Sequence, residues 1–120
     1  MMMKRKSKIK VPYYEHLMAD LETGCIVDDI QQVEDILYVA AKKANSTPLK
    51  VAVHKFSPHG ITGVILLAES HIAIHSWPEF NYLAVDIFTC GRNGRPRKAL
   101  EYIQKCFQAK EIKVQEIKEG

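Results

Sequence analysis

From Asp28 onward the chain places Ile30, Val33, Ile36, Leu37, Ala40, Ala41 and Ala44 at spacings of three and four, with polar residues between them. At 3.6 residues per turn these positions share one stripe, so the pattern predicts an amphipathic helix. Asp28 and Asp29 precede it as N-cap candidates, and it should end near Asn45. After a polar turn from Arg92 to Pro96, Ala99, Leu100, Ile103, Cys106 and Phe107 repeat the period and predict a second helix.

Elsewhere the period is two. In LKVAVHKF, Leu49, Val51 and Val53 alternate with Lys50, Ala52 and His54, and the run stops at the turn residues Ser57, Pro58 and Gly60 of SPHG. TGVILLAE, SHIAIHSW and YLAVDIFTC follow as three strand candidates rich in β-branched and aromatic residues. A first strand from about Tyr13 to Leu21, closed by Thr23-Gly24, and a last one at IKVQEI complete the set. Strand, helix, a run of strands, helix, strand is the order of an α+β fold. It predicts a two-layer α/β sandwich, a largely antiparallel sheet with both helices on one face. The opposite face needs cover, most simply from a homodimer that packs sheet against sheet.

With 120 residues, 47% of them hydrophobic, the chain suits one core. Its formal charge of +3 is carried by the head, where Lys4, Arg5, Lys6, Lys8 and Lys10 lie within ten residues; the remainder sums to −2. The expectation is a basic flexible tail over residues 1–10 and a single domain over 11–120. No aromatic residue interleaves with those lysines, which argues against a nucleic-acid surface. No apolar run reaches the length of a membrane span, and VPYYEHLMADL follows the basic head instead of a signal-type hydrophobic region, so a cytoplasmic protein without a membrane partner is expected.

Cys25, Cys90 and Cys106 are odd in number and lack CxxC spacing, so neither a disulfide framework nor a four-cysteine zinc site is indicated. His71 and His75 would sit about 13 Å apart on one face of a strand, too far to share a metal. Cys90, ending a strand before Gly91, reads by itself as a small buried residue, and Cys106 lies on the apolar stripe of the second helix. Trp77 and Phe56 stand at strand ends beside polar punctuation, where an aromatic ring either packs or stacks on a planar ligand.

Taken together, HKFSPHGITGV, then ESHIAIHSWPE, then VDIFTCG resemble the self-processing S-adenosylmethionine decarboxylases of the bacterial and archaeal type, over about His16 to Val114. Two places depart from that family's usual pattern. Tyr14 replaces a glycine ahead of the His16-Leu17 pair, and the chain carries Glu119-Gly120 where an Arg-Gly is common.

The resemblance implies that the chain cuts itself between Glu69 and Ser70, giving a β chain of 1–69 and an α chain of 70–120. The Ser70 hydroxyl attacks the Glu69 carbonyl, the amide becomes an ester, and β-elimination followed by hydrolysis leaves a pyruvoyl group at position 70. Serine suits this because it carries an oxygen nucleophile and, once acylated, a leaving group on Cβ. The resemblance makes His75 the processing base and Cys90 the proton donor in turnover, a role that fits a thiol with an ordinary pKa of about 8.5. The pyruvoyl cofactor would form a Schiff base with the substrate amine and act as electron sink, with no metal.

On the substrate side the resemblance has Phe56 and Trp77 sandwich adenine, Glu79 accept from the ribose hydroxyls, and Thr62 stand near the processing centre. The implied product is decarboxylated S-adenosylmethionine, the aminopropyl donor of spermidine and polyamine synthesis. The same pyruvoyl chemistry on arginine or ornithine, and an unprocessed homologue that binds a partner, are the alternatives. His71 follows the serine without an assigned role. Strict alternation puts Ser70 with Ile72 and Ile74 on one face and His75 on the other, so a direct reach between Ser70 and His75 requires a twist, a bulge or a partner strand.

Overall fold

The computed structural model describes residues 9–120, so Lys4, Arg5, Lys6 and Lys8 of the expected tail lie outside the described residues. Six strands and two helices follow in the expected order: β1 (Tyr14–Glu22), α1 (Ile30–Lys43), β2 (Pro48–Lys55), β3 (Ile61–Leu67), β4 (His71–Trp77), β5 (Tyr82–Cys90), α2 (Pro96–Phe107) and β6 (Lys110–Glu119). A short 3-10 turn, Pro78–Phe80, joins β4 to β5. The strands form one sheet in the order β2-β3-β4-β5-β1-β6, and every neighbouring pair is antiparallel.

Helix α1 starts where the Asp29 carboxylate accepts a hydrogen bond from the Gln32 amide, a cap that contributes about 1 kcal/mol. Its buried stripe is Val33, Ile36, Leu37, Ala40 and Ala41, while Ile30, at the first turn, is exposed. Helix α2 begins at Pro96, whose missing N–H costs nothing there, and stops where Gln108 turns left-handed at φ 49°. Both stripes press on the same sheet face, against Leu17, Leu21, Ile65, Ile72, Ile74, Leu83 and Ile87. Burying each such side chain stabilises the fold by roughly 1.5–3 kcal/mol. At Gly63 the helix comes so close that a Cβ would meet Leu37 Cδ1 at 3.0 Å and Val33 Cγ1 at 3.1 Å.

One local expectation fails. The β2–β3 register shifts between Pro48 and Lys50, which takes Leu49 out of the alternation and leaves it 62% exposed. A bulge adds one residue to one strand, so the facing of its side chain no longer follows from counting. Cys106 is also less deep than the helical stripe suggests, being half-buried at the margin of the core.

The helix-free face is where the sequence's polar and aromatic strand residues go. Register defines its rows. Leu66, His71, Phe88, His16 and Ile117 lie across from one another; two residues further along the strands come Val64, Ala73, Asp86, Met18 and Gln115; two further still come Thr62, His75, Ala84, Asp20 and Lys113. Leu66 and Ile117 are exposed there.

Candidate active site

The bond between Glu69 and Ser70 sits in the tight turn of the β3–β4 hairpin. The Leu67 amide donates to the Ser70 carbonyl at 2.8 Å, which leaves Ala68 and Glu69 as the two loop residues. The turn is tied down from outside: the Thr47 carbonyl accepts from the Ala68 amide at 2.9 Å, and the Glu69 carboxylate accepts from the Thr47 amide at 3.2 Å. The Glu69 side chain therefore anchors the turn, a role that sequence reasoning missed. Ser70 Oγ lies 3.3 Å from His71 Nδ1.

Cys90 ends β5 opposite Tyr14 of β1, at the same end of the sheet as Ser70, because His71 pairs with Phe88 two residues before Cys90. Gly91, at φ 89°, turns the chain sharply after the cysteine while its amide donates to the Tyr13 carbonyl at 2.8 Å. A side chain at that φ is strained, which gives the Cys-Gly pair its physical reason. Tyr14 occupies the usual glycine's place and stacks on Phe88, ring centroids 4.8 Å apart.

The other candidates gather at the opposite end. A cleft of about 260 Å³ is lined by Phe56, His59, Thr62, His75, Trp77 and Glu79. His75 Nδ1 and Thr62 Oγ1 are 3.2 Å apart across the β3–β4 pair, where the two residues are register partners. Trp77 stacks on Tyr82 at 5.2 Å, and the Tyr82 hydroxyl donates to Asp20 at 2.6 Å. That hydrogen bond to a carboxylate pushes the Tyr82 pKa up, with burial adding to it, so the phenol stays protonated and the stack stays anchored. Glu79, on the 3-10 turn, is 3.1 Å from His59 Nε2.

The walls contributed by the SPHG turn are held by Asp28. Its carboxylate accepts from the Gly60 amide at 3.0 Å and from the Lys55 ammonium. The Lys55 hydrogen bond is the main cause that holds the Asp28 carboxyl below the ordinary value, against the opposing effect of burial. Of the two cap candidates, Asp29 caps the helix and Asp28 fastens this turn. His59 carried no signal in the sequence beyond its place inside SPHG, and Asp28 was legible only as a cap candidate. Asp86 did carry one, as a charge in the middle of YLAVDIFTC with the spacing of the helix-free face.

The two groups of residues do not meet within one chain. His75 lies five residues beyond Ser70 along an extended segment, a separation of roughly 16 Å at strand rise. Both pairings of β4 keep an unbroken register, so no bulge shortens it. Among the described residues, no group of three or more His, Cys, Asp or Glu could hold a metal ion, and no helix is long and apolar enough to cross a membrane.

The model of the S-adenosylmethionine decarboxylase family matches residues 15–120. The chain belongs to the S-adenosylmethionine decarboxylase family. Among its relatives, an S-adenosylmethionine decarboxylase proenzyme of Thermodesulfovibrio yellowstonii is 45% identical over 108 residues, covering 88% of this chain and 79% of the relative. One of Pelotomaculum thermopropionicum is 44% identical, covering 88% and 85%. The crystal structure of the adenosylmethionine decarboxylase from Aquifex aeolicus superposes with a TM-score of 0.74 at 34% identity, over 92% of this chain and 90% of that one. Within the S-adenosylmethionine decarboxylase family, then, this chain has Ser70 in a pinned hairpin turn and the cleft of Phe56, Trp77 and Glu79 at the other end of β4.

Proposed function

We propose that the protein is a self-processing S-adenosylmethionine decarboxylase whose working unit is a homodimer packed through the helix-free sheet face. The observation that carries the reading is the division of candidate residues between two ends of that face, in a chain whose relatives are named as proenzymes. A two-fold axis crossing the strands between those ends lays the Ser70 end of one protomer over the His75 end of the other, because an isologous contact pairs each patch with its counterpart reversed. Two equivalent sites result. Each has Ser70 and Cys90 from one protomer and Phe56, Thr62, His75, Trp77 and Glu79 from its partner.

The size of the cleft supports the same arrangement. At about 260 Å³ it lies at the lower limit of pockets that enclose a small-molecule ligand, roughly 300–1,000 Å³. A second sheet face supplies the missing wall, excludes water and covers Leu66 and Ile117.

In processing, Ser70 Oγ bonds to the Glu69 carbonyl carbon and the peptide C–N bond breaks, giving an ester. His75 of the partner subunit, oriented by Thr62, takes the α-proton of residue 70, and the Glu69 carboxylate leaves as a new C-terminus. Addition of water and loss of ammonia convert the dehydroalanine to the pyruvoyl cofactor. Its carbonyl supplies an electron sink for loss of carbon dioxide from an amino acid bound through its amine. The turn that presents Ser70 fits that group: it lies at a hairpin tip, outside the ladder, with Cys90 at the same end of the sheet. Cys90 delivers the proton to the substrate's α-carbon, which protects the cofactor from conversion to alanine. Phe56 and Trp77 hold the adenine and Glu79 the ribose hydroxyls. The product donates aminopropyl groups in polyamine synthesis.

Intact mass spectrometry of freshly expressed protein tests the cut, and carbon dioxide release tests the substrate. Fragments 1–69 and 70–120, the second with a blocked N-terminus, and release from S-adenosylmethionine but not from arginine or ornithine are expected. An uncut chain that releases no carbon dioxide from any of the three overturns the proposal.

A further inference from the structure

We infer that His71 is the base that activates Ser70 for the acyl shift, with Asp86 and His16 orienting its ring. The inference rests on the reading of Glu69–Ser70 as the bond that is cut, and it divides the processing chemistry between two histidines.

Ser70 Oγ and His71 Nδ1 are 3.3 Å apart. On the far side of the ring, His71 Nε2 is 4.0 Å from Asp86 Oδ1, an ion-pair separation, and the same oxygen is 2.6 Å from His16 Nε2. Register explains the cluster. His16 and His71 flank Phe88 in one row of the sheet, and Asp86 stands one row along on the same face of β5. The His71 ring lies nearly parallel to Phe88, 19° between planes at 6.0 Å, which fixes its tilt. Its β3 neighbour is the apolar Leu66, so the ionisable groups facing it are Asp86 and, behind that, His16.

Nucleophile, imidazole and carboxylate thus stand in the order that activates a serine hydroxyl. For Nδ1 to accept the Ser70 proton, Nε2, the nitrogen on the Asp86 side of the ring, must carry the hydrogen. The step balances within the chain. The Oγ proton passes to Nδ1 as Oγ bonds to the Glu69 carbonyl carbon. Nδ1 then returns the proton to the Ser70 nitrogen as the C–N bond breaks, leaving an ester, a free amine and a neutral His71. His75 holds Thr62 at the other end of the strand and enters only afterwards, at the α-proton.

The experiment follows splitting at 69–70 by denaturing gel and intact mass in wild type, His71→Ala, His75→Ala and Asp86→Asn, with circular dichroism melts as folding control. His71→Ala should split on the order of 10²-fold more slowly, with part of the rate restored by added imidazole. Hydroxylamine, which cuts esters, should cleave His75→Ala but not His71→Ala, because the second is blocked before an ester exists. Asp86→Asn, which leaves the imidazole in place, should slow splitting several-fold, and it decides the matter if His71→Ala does not fold. Splitting of His71→Ala at the wild-type rate, its arrest as a hydroxylamine-labile ester, or an unchanged rate in Asp86→Asn overturns the assignment. A wild-type chain that never splits at 69–70 overturns the underlying reading instead.

Discussion

The two ends of the helix-free face are built by different means. At the Ser70 end, His16, His71, Asp86, Phe88 and Cys90 all stand on ladder positions of β1, β4 and β5, and the one turn involved is pinned by Thr47. At the His75 end, Thr62, His75, Ser76 and Trp77 come from strands. Phe56, His59 and Glu79 hang on the SPHG turn and the 3-10 turn, which Asp28 and the His59–Glu79 pair hold in place. Bond-breaking chemistry tolerates little displacement of the reacting atoms, so it belongs on hydrogen-bonded strands. Ligand contacts on turns can change without disturbing the ladder. On the proposed reading, the turn-borne contacts Phe56 and Glu79 can therefore change while His71 and His75, both held on β4, keep their places for the self-cut.

The largest effect should come from Ser70→Ala, which removes the nucleophile and should leave the chain uncut and without decarboxylase activity; a gel that still shows fragments 1–69 and 70–120 breaks the comparison at its first end. Co-expression of Ser70→Ala with His75→Ala asks whether the two ends work across subunits. Neither variant alone should process, but random pairing makes half the dimers mixed, each with one intact site, so about a quarter of wild-type sites should return. No recovery by intact mass would mean that each chain is self-contained.

Smaller effects are expected in the cleft. Trp77→Ala removes an aromatic contact worth about 1.4 kcal/mol and should raise KM roughly tenfold with the self-cut unchanged. Slowed processing in that variant, measured by intact mass, would show that the ends are not separable.

The smallest change is expected for Asp28→Asn, with a loss of about 1 kcal/mol at pH 7 by denaturant melts. Because the folded carboxyl titrates below its ordinary 3.8, its contribution is present above that pH and fades as the folded group is protonated at lower pH. The gap between Asp28→Asn and wild type should therefore close on acidification below about pH 4. A gap that persists there would take the carboxylate out of its role as a clamp.

Most of the fold was legible because periodicity reports burial directly. Val33 to Ala41 repeat at 3.6 and form α1; YLAVDIFTC repeats at two and forms β5 with the boundaries of that run. Leu49 was misjudged because a bulge changes facing without changing residue type. The candidate site was legible as motifs, through the resemblance, and much less so as geometry. The His59–Glu79 pair, the Asp28 clamp and the His16–Asp86–His71 cluster join residues 15 to 70 apart in the chain, and no local spacing announces them.

By itself the sequence determined the elements, the apolar face of each outside the β2 bulge, and the family, because side-chain period and the residue types of AESHIAIHSWPE are local properties. Only the tertiary structure decided which residues are neighbours. Antiparallel register set His71 beside Phe88 and Asp86, and put Ser70 and Cys90 at one end of the sheet while carrying His75 to the other. Register is settled by the pairing of whole strands under two packed helices, a long-range event that no single strand encodes.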